Sequence, residues 1–399
     1  MVFLERIVWM AVCVVVLASN TTTARAQADL PRPGQPASFS LSPGESRSFR
    51  LAMKQDDFAE IDWKAAEGVY LHFWITGPAG NELASSNSDF NDSAMFVAPR
   101  DGEYTFRIQL DKDSEAKGPQ SISLQYKDTF KLPARSKQDA IRKINGYDVR
   151  IMRTPAPKDE TGYSIVLIER NGKLKNILKA EAQGEAMRFT FGDAPESYDS
   201  ASERRAKALI KSTGDITGDG VPDVMIDYYS GGAHCCFESY FINLGKTAEI
   251  VEHIDTANSG LHALRKSPKG GLLFETDDNA WAYWRTSFAE SPLPRMIMAF
   301  DNNKLHPNFA LTKKPAPPIA TLRAKARADR AKVSTDPYTG DEGGLEYPFW
   351  AEMLDLIYTG NEQTAWQYFE MVWPPKRQGK ELFLKDFKAQ LAESYYGKR

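Results

Sequence analysis

The residues best placed to do chemistry lie in Asp215-Ile216-Thr217-Gly218-Asp219-Gly220-Val221-Pro222-Asp223, where oxygen-bearing side chains fall at positions 1, 3, 5 and 9 and glycine stands at position 6. A hard cation takes roughly six to eight oxygens; a tight loop aims alternate side chains inward, and the seventh residue adds its carbonyl. Asp215, Thr217, Asp219, the Val221 carbonyl and Asp223 are therefore the expected ligands of a structural Ca2+. Thr217 supplies a neutral oxygen where a carboxylate would bind harder. The rival reading is an acidic turn without metal. A catalytic metal is disfavoured, because a loop saturated with oxygens leaves no reactive position. An EF-hand is excluded, since position 12 is Ile226 and both flanks, 208–211 and 224–229, read as strands.

Shortly after comes Ser230-Gly231-Gly232-Ala233-His234-Cys235-Cys236, read as a hairpin connection between the strand ending at Tyr229 and an alternating strand over 237–244. Gly231 and Gly232 let the backbone turn or approach a neighbour closely. Three chemistries are open to the turn: a vicinal disulfide or buried pair of Cys235 and Cys236, a soft-metal or redox site that includes His234, or a Cys-His nucleophile. The disulfide would be strained, because neighbouring Cα atoms stand about 3.8 Å apart, short of the usual range of about 4.4–6.8 Å. A zinc centre would need ligands beyond these three adjacent residues, and His253 and His262 are the candidates.

Other constellations are weaker. Asp277-Asp278 and Glu252 with Asp255 could serve as the paired carboxylates of a glycosidase. Trp63, Trp74, Trp281, Tyr283 and Trp284 could offer stacking platforms for sugars, although core packing is the commoner use of such rings. No Gly-x-Ser-x-Gly, His-Glu-x-x-His or phosphate loop is present.

The elements that must position these residues follow from pattern. The 399 residues carry 50 Lys and Arg against 53 Asp and Glu, a net charge of −3, which gives no electrostatic footprint for nucleic acid. Arg6, an apolar run over 7–18 and Ala24-Arg25-Ala26 form a signal peptide with a cut expected after Ala26, hence a periplasmic or secreted chain. Cleavage removes Cys13, and no later stretch is long enough to span a membrane. Residues 27–127 read as an antiparallel β-sandwich with strands over 48–53, 58–63, 69–76, 94–97, 104–110 and 121–126, separated by Pro/Gly/Asp turns. Alternation places Tyr104, Phe106, Ile108 and Leu110 on its core face.

Residues 128–312 read as a second, β-rich domain that includes the acidic loop, with strands over 147–153, 164–169, 174–178 and 188–191 and a short helix over 139–144. Residues 313–348 form a Pro/Gly-rich linker with a helix over 320–332. Residues 349–399 form a helical cap of three helices with Trp350, Leu354, Ile357, Trp366, Phe369, Val372, Phe383, Phe387 and Leu391 as its core. The expected fold class is mainly β, with an N-terminal sandwich, a middle β-rich, partly propeller-like domain and a small α-helical cap.

Two resemblances bear on function. The Gly-Pro-Ala-Gly turn and Ala98-Pro99-Arg100-Asp101-Gly102-Glu103-Tyr104 before the last strand pair resemble the pre-peptidase C-terminal type of sandwich and, similarly, the secreted inhibitors of g-type lysozyme. The 215–223 loop resembles the calcium loops of FG-GAP and VCBS-type repeats at all but the third position. Together with the Gly-Gly-Ala-His-Cys-Cys turn it is similar to a pattern in exported bacterial proteins. The expectation is an exported, non-enzymatic binding or envelope protein with a structural calcium loop, whose partner is a protein or a cell-envelope glycan. The alternatives are a lysozyme-type hydrolase inhibitor acting through the sandwich and a cell-wall or glycan hydrolase using the middle domain.

Overall fold

Period-two alternation builds the first region of the chain. The computed structural model describes residues 28–398 apart from 81, 88–92, 113, 116, 156–161, 183–186, 195–198, 233–234 and 337–346, so the expected signal peptide lies outside the described residues. One sheet is ordered β1 (Ala28–Asp29), β3 (Ser46–Met53), β8 (Gly102–Leu110), β5 (Leu71–Thr76), β6 (Glu82–Asn87). The other is ordered β2 (Pro36–Leu41), β9 (Gln120–Lys127), β4 (Phe58–Lys64), β7 (Ser93–Val97). Phe49, Phe73 and Phe106 from the first sheet pack with Trp63, Ile122 and Leu124 from the second, and β5, β8 and β9 bury every other residue. Gly102 (φ 154°) is required where it stands, because a Cβ there would lie 2.3 Å from Pro78 Cγ. The Tyr104 hydroxyl donates to the Arg100 carbonyl at 2.7 Å and pins the same turn.

Three four-stranded antiparallel sheets follow, each running straight through the chain order. The first holds β10 (Lys137–Ile144), β11 (Tyr147–Arg153), β12 (Gly162–Arg170) and β13 (Lys173–Ala182). The second holds β14 (Arg188–Phe191), β15 (Asp223–Gly232), β16 (Cys235–Leu244) and β17 (Ala248–Ala257). The third holds β18 (His262–Lys266), β19 (Leu272–Asp277), β20 (Arg295–Asp301) and β21 (Lys304–Pro307). They stand in a row. Val166 and Ile168 of the first sheet meet Val224, Ile226 and Ile242 of the second. On the opposite face Ile165 and Leu167 meet Phe58 and Val97 of the sandwich. Met225 and Phe241, on the far face of the second sheet, meet Phe274, Met296 and Met298 of the third.

The fold is mainly β with no closed barrel, and helices gather at the C-terminus. After α2 (Phe309–Thr312), α3 (Ile319–Arg330) buries Leu322 and Ala326. Trp350 of α4 (Trp350–Tyr358), Phe369 of α5 (Glu362–Val372) and Phe383 and Phe387 of α6 (Lys380–Glu393) form an aromatic core. That core is continuous with the third sheet: Trp281, in the connection between β19 and β20, packs on Phe387 with ring centroids 4.9 Å apart. No described helix is long and apolar enough to cross a membrane.

Two local readings are corrected. Residues 139–144 are strand, not helix, because β10 is an edge strand paired only to β11 and its polar face is exposed. Residues 208–211 are helix, not strand. They belong to α1 (Ala201–Ser212), which opens on a capping box in which Ser200 Oγ accepts from the Glu203 amide and Glu203 reaches back to the Ser200 amide. The acidic loop therefore joins a helix to a strand.

Candidate functional site

The 215–223 loop sits where the second and third sheets touch. Gly218 (φ 88°) lies against the Gly270-Gly271 turn so closely that a Cβ would fall 2.7 Å from the Gly270 carbonyl carbon. The Leu272 amide donates to the Ile216 carbonyl at 2.8 Å. Each carboxylate closes the loop on itself or on a neighbour. Asp215 accepts from the Gly218 and Gly220 amides at 2.6 and 2.9 Å. Asp223 Oδ2 accepts from the Ile216 and Thr217 amides at 2.9 and 2.8 Å. Asp219 Oδ1 accepts from the Val221 amide at 2.8 Å, and its Oδ2 accepts from Asn243 of β16 and Asn303 of the β20–β21 turn, both at 2.8 Å.

The donor chemistry suits a hard cation, but the arrangement is incomplete. Among the described residues no group of three His, Cys, Asp or Glu could hold a metal. Asp215 and Asp219 spend their oxygens on amides, whereas Asp223 Oδ1 is buried beside the Thr217 side chain. Burial pushes the Asp223 carboxyl up to about 6, against the Thr217 amide and hydroxyl and the Ile216 amide, which favour its charge.

The 230–236 turn lies at the other end of β15. Gly232 pairs with Cys235 after a register shift beyond Tyr229, and Ser230 Oγ accepts from the Cys236 amide at 2.8 Å. Gly231 (φ 80°) has Met187 against it, where a Cβ would meet Met187 Cγ at 2.5 Å. Cys236 is in a disulfide. Ala233, His234 and the Cys235 side chain lie outside the described residues.

Beside this turn, on the face of the second sheet that meets the first, stands a polar group that composition alone did not flag. Glu238 Oε2 accepts from the Tyr240 hydroxyl at 2.6 Å and lies 2.9 Å from His253 Nε2, while the His253 and Tyr240 rings stack at 4.3 Å and 11°. Its signal was alternation: Glu238 and Tyr240 are two apart on β16, and His253 is the cross-strand neighbour of Tyr240. Burial opposes ionisation of Glu238, yet His253 and the Tyr240 hydroxyl outweigh it and hold the carboxyl below its ordinary value. His262 lies on β18 of the next sheet and does not join His253 in a metal-holding group.

The candidate paired carboxylates have hydrogen-bond partners of their own. Asp278 is buried and accepts from the Tyr358 hydroxyl at 2.6 Å and from the Tyr395 and Ala280 amides at 2.8 and 3.0 Å. Glu252 accepts from the Leu305 amide at 2.7 Å and Asp255 from the Ala257 amide at 2.7 Å. These carboxylates tie backbone together.

The aromatic platforms divide. Trp63 and Trp281 are buried, and Trp284 packs edge-on to Trp281 and Trp350 in the helical core. Tyr283 is exposed. Trp74 points outward from the five-stranded sheet, because Leu71, Phe73 and Ile75 take the inward positions of β5. Its cross-strand neighbour Arg107 lays its guanidinium 4.0 Å from the indole centroid, and His72 stacks alongside at 6.0 Å and 18°. His72 Nε2 is held 2.6 Å from Asp111 Oδ2. The result is a fixed, partly exposed row of imidazole, indole and guanidinium on an open sheet face.

No protein-family model matches the chain and no curated protein matches it, so the likeness of 215–223 to FG-GAP and VCBS loops rests on its residues alone. Solved structures similar to part of it include periplasmic inhibitors of g-type lysozyme from three bacteria. The Aeromonas hydrophila protein is 14% identical over 23% of this chain and 85% of its own, with a TM-score of 0.20. The Salmonella Typhimurium protein is 14% identical over 23% and 86%, with a TM-score of 0.18. A mutant of the Escherichia coli protein is 13% identical over 25% and 96%, with a TM-score of 0.17.

Proposed function

We propose that this chain is an exported, non-enzymatic binding protein of the cell envelope, periplasmic or secreted, and that it meets its partner, a protein or an envelope glycan, through the outer face of the five-stranded sheet. The observation that carries this reading is the His72–Trp74–Arg107 row. Tryptophan and arginine dominate binding hot spots, and a ring already held between two neighbours loses little freedom on association. The same face stacks on sugar rings or packs on a protein. The turn at Ala98–Tyr104 makes g-type lysozyme the first protein to try.

The test is a titration of the purified chain with g-type lysozyme and with soluble peptidoglycan fragments, beside Trp74→Ala and Arg107→Glu. Binding that falls at least tenfold in both variants, with melting temperature kept, supports the reading; affinity indifferent to both overturns it. Turnover of peptidoglycan by the chain, lost in Glu238→Gln, would instead favour the hydrolase alternative.

A structural calcium ion at 215–223 is a second reading, favoured by the buried Asp223 carboxyl, which burial pushes up to about 6. A cation there would relieve the cost of the buried Asp223 charge. Millimolar Ca2+ is then expected to raise the melting temperature where Mg2+ does not, by mass action on the folded state. The disulfide of Cys236 is assigned to Cys235, the other cysteine of the mature chain, and peptide mapping under non-reducing conditions checks it.

A further inference from the structure

We propose that the cleft between the third sheet and α4 is a binding site for a single-chain acyl carboxylate. The cleft has a volume of about 450 Å³, within the range of about 300–1,000 Å³ usual for small-molecule sites. Its wall on the sheet side is Ile297 of β20, on the face opposite Met296 and Met298. Its wall on the helix side is Leu354 of α4, and Leu293 lines it from the preceding connection. Two large apolar side chains at the cleft, Leu264 and Leu311, are left 39% and 37% exposed. Leu293, Ile297, Leu311 and Leu354 give the cleft an apolar wall against which an acyl chain can pack.

The charges specify the head group. Around the cleft Arg295 pairs with Glu275, and Lys314 pairs with Asp355 at 3.3 Å. Lys313 has no carboxylate partner among the described residues. Lys313 lines the cleft, and its stem covers Gly360 (φ 82°), where a Cβ would meet Lys313 Cγ at 3.2 Å and Cε at 3.6 Å. An unbranched chain with one negative end satisfies the apolar lining and the unmatched cation together. This site is remote in sequence from the Trp74 row and stands whether or not that row binds a partner.

Calorimetric titration of the full mature chain with octanoate, decanoate and dodecanoate below their micellar concentrations, and with dodecanol, reads the proposal directly. One site is expected, with affinity rising about fourfold per added CH₂, as burial of a methylene in an apolar site implies. Dodecanol is expected to bind at least fivefold more weakly than dodecanoate. Leu311→Asp should abolish binding. Lys313→Glu should remove the preference for the carboxylate over the alcohol while leaving the chain-length dependence. Both positions are at the surface, and an unchanged melting curve shows that each variant is folded. The proposal is overturned by no saturable binding of dodecanoate, by affinity that ignores chain length, or by binding that both variants leave intact.

Discussion

The sandwich and the row of sheets behind it are both antiparallel, yet they dispose of their faces in opposite ways. The five-stranded sheet buries one face against its partner sheet and leaves the other in water, so β5 alternates Leu71, Phe73 and Ile75 inward with His72, Trp74 and Thr76 outward. The second sheet of the row has no outward face: Val224 and Ile226 point to the first sheet and Met225 to the third. A sheet used on one side can carry a recognition surface on its flat face. One used on both sides presents its loops at its ends, which is where the 215–223 loop and the 230–236 turn are found, and the Glu238–Tyr240–His253 group stands on an inner face beside that turn.

The largest way to break this comparison is Phe383→Ala. Phe383 is fully buried among Phe369, Trp284 and Phe387, in the core shared by helices and third sheet. Its truncation is expected to cost the row about 3–5 kcal/mol. Hydrogen exchange should show lost protection at Phe274 and retained protection at Ile108 in the sandwich. Equal loss at both would mean that the two regions unfold as one body and differ only in looks.

Asp219→Ala comes next, at about 1–2 kcal/mol, because it strips Asn243 and Asn303 of the acceptor that links two sheets. Chemical denaturation with and without Ca2+ sharpens the point. An equal loss in both conditions assigns Asp219 to the sheet contact, and a loss confined to calcium buffer assigns it to the ion.

A smaller effect is expected from Glu238→Gln, read as a pH profile. The folded-state pKa of Glu238 is lowered, so its contribution is fully present above the ordinary carboxyl value and is lost as pH falls through the folded one. Asp255 nearby is raised by burial, with contrary sign: its contribution favours folding at low pH and is lost as pH rises through its folded value. The difference between wild type and variant, rather than either curve, isolates Glu238. It should narrow on acidification, and a constant difference would refute the ion-pair origin. Smallest of all, Trp74→Ala should shift stability by less than about 1 kcal/mol, since the ring is partly exposed and loses chiefly its contact with Arg107, while binding falls as stated above.

The same difference decided what the sequence showed. In the sandwich, half-buried strands alternate cleanly, and the strands read over 48–53, 58–63, 94–97, 104–110 and 121–126 all lie inside observed ones. Strands β2 and β6 escaped notice because their short, Ser-rich segments lack a run of apolar residues. In the row, edge strands carry little hydrophobic signal: β10 resembled a helix, and β17, with Glu249, Glu252, His253 and Asp255 among its apolar residues, was not anticipated. Helix α1 was legible from Ser200-Ala201-Ser202-Glu203, a capping signature that went unused. The residues read as the helical core are buried, Trp366 only partly, but Phe349, Met353, Tyr358, Tyr368 and Trp373 of the same core were not read. Of the candidate residues, the acidic loop was conspicuous by spacing, whereas the Trp74 row and the Glu238 group depend on cross-strand register, which no single segment of sequence displays.

The row also bears on how such a chain can grow. Its sheets are joined through apolar faces, so a fourth four-stranded unit inserted between two existing ones would find a greasy surface waiting on either side. At the two ends it would not: the sandwich terminates one and the aromatic helices terminate the other, much as capping repeats close a solenoid. Lengthening by duplication is thus confined to the interior. Deleting either terminator would leave an apolar sheet face exposed, ready to associate with another copy.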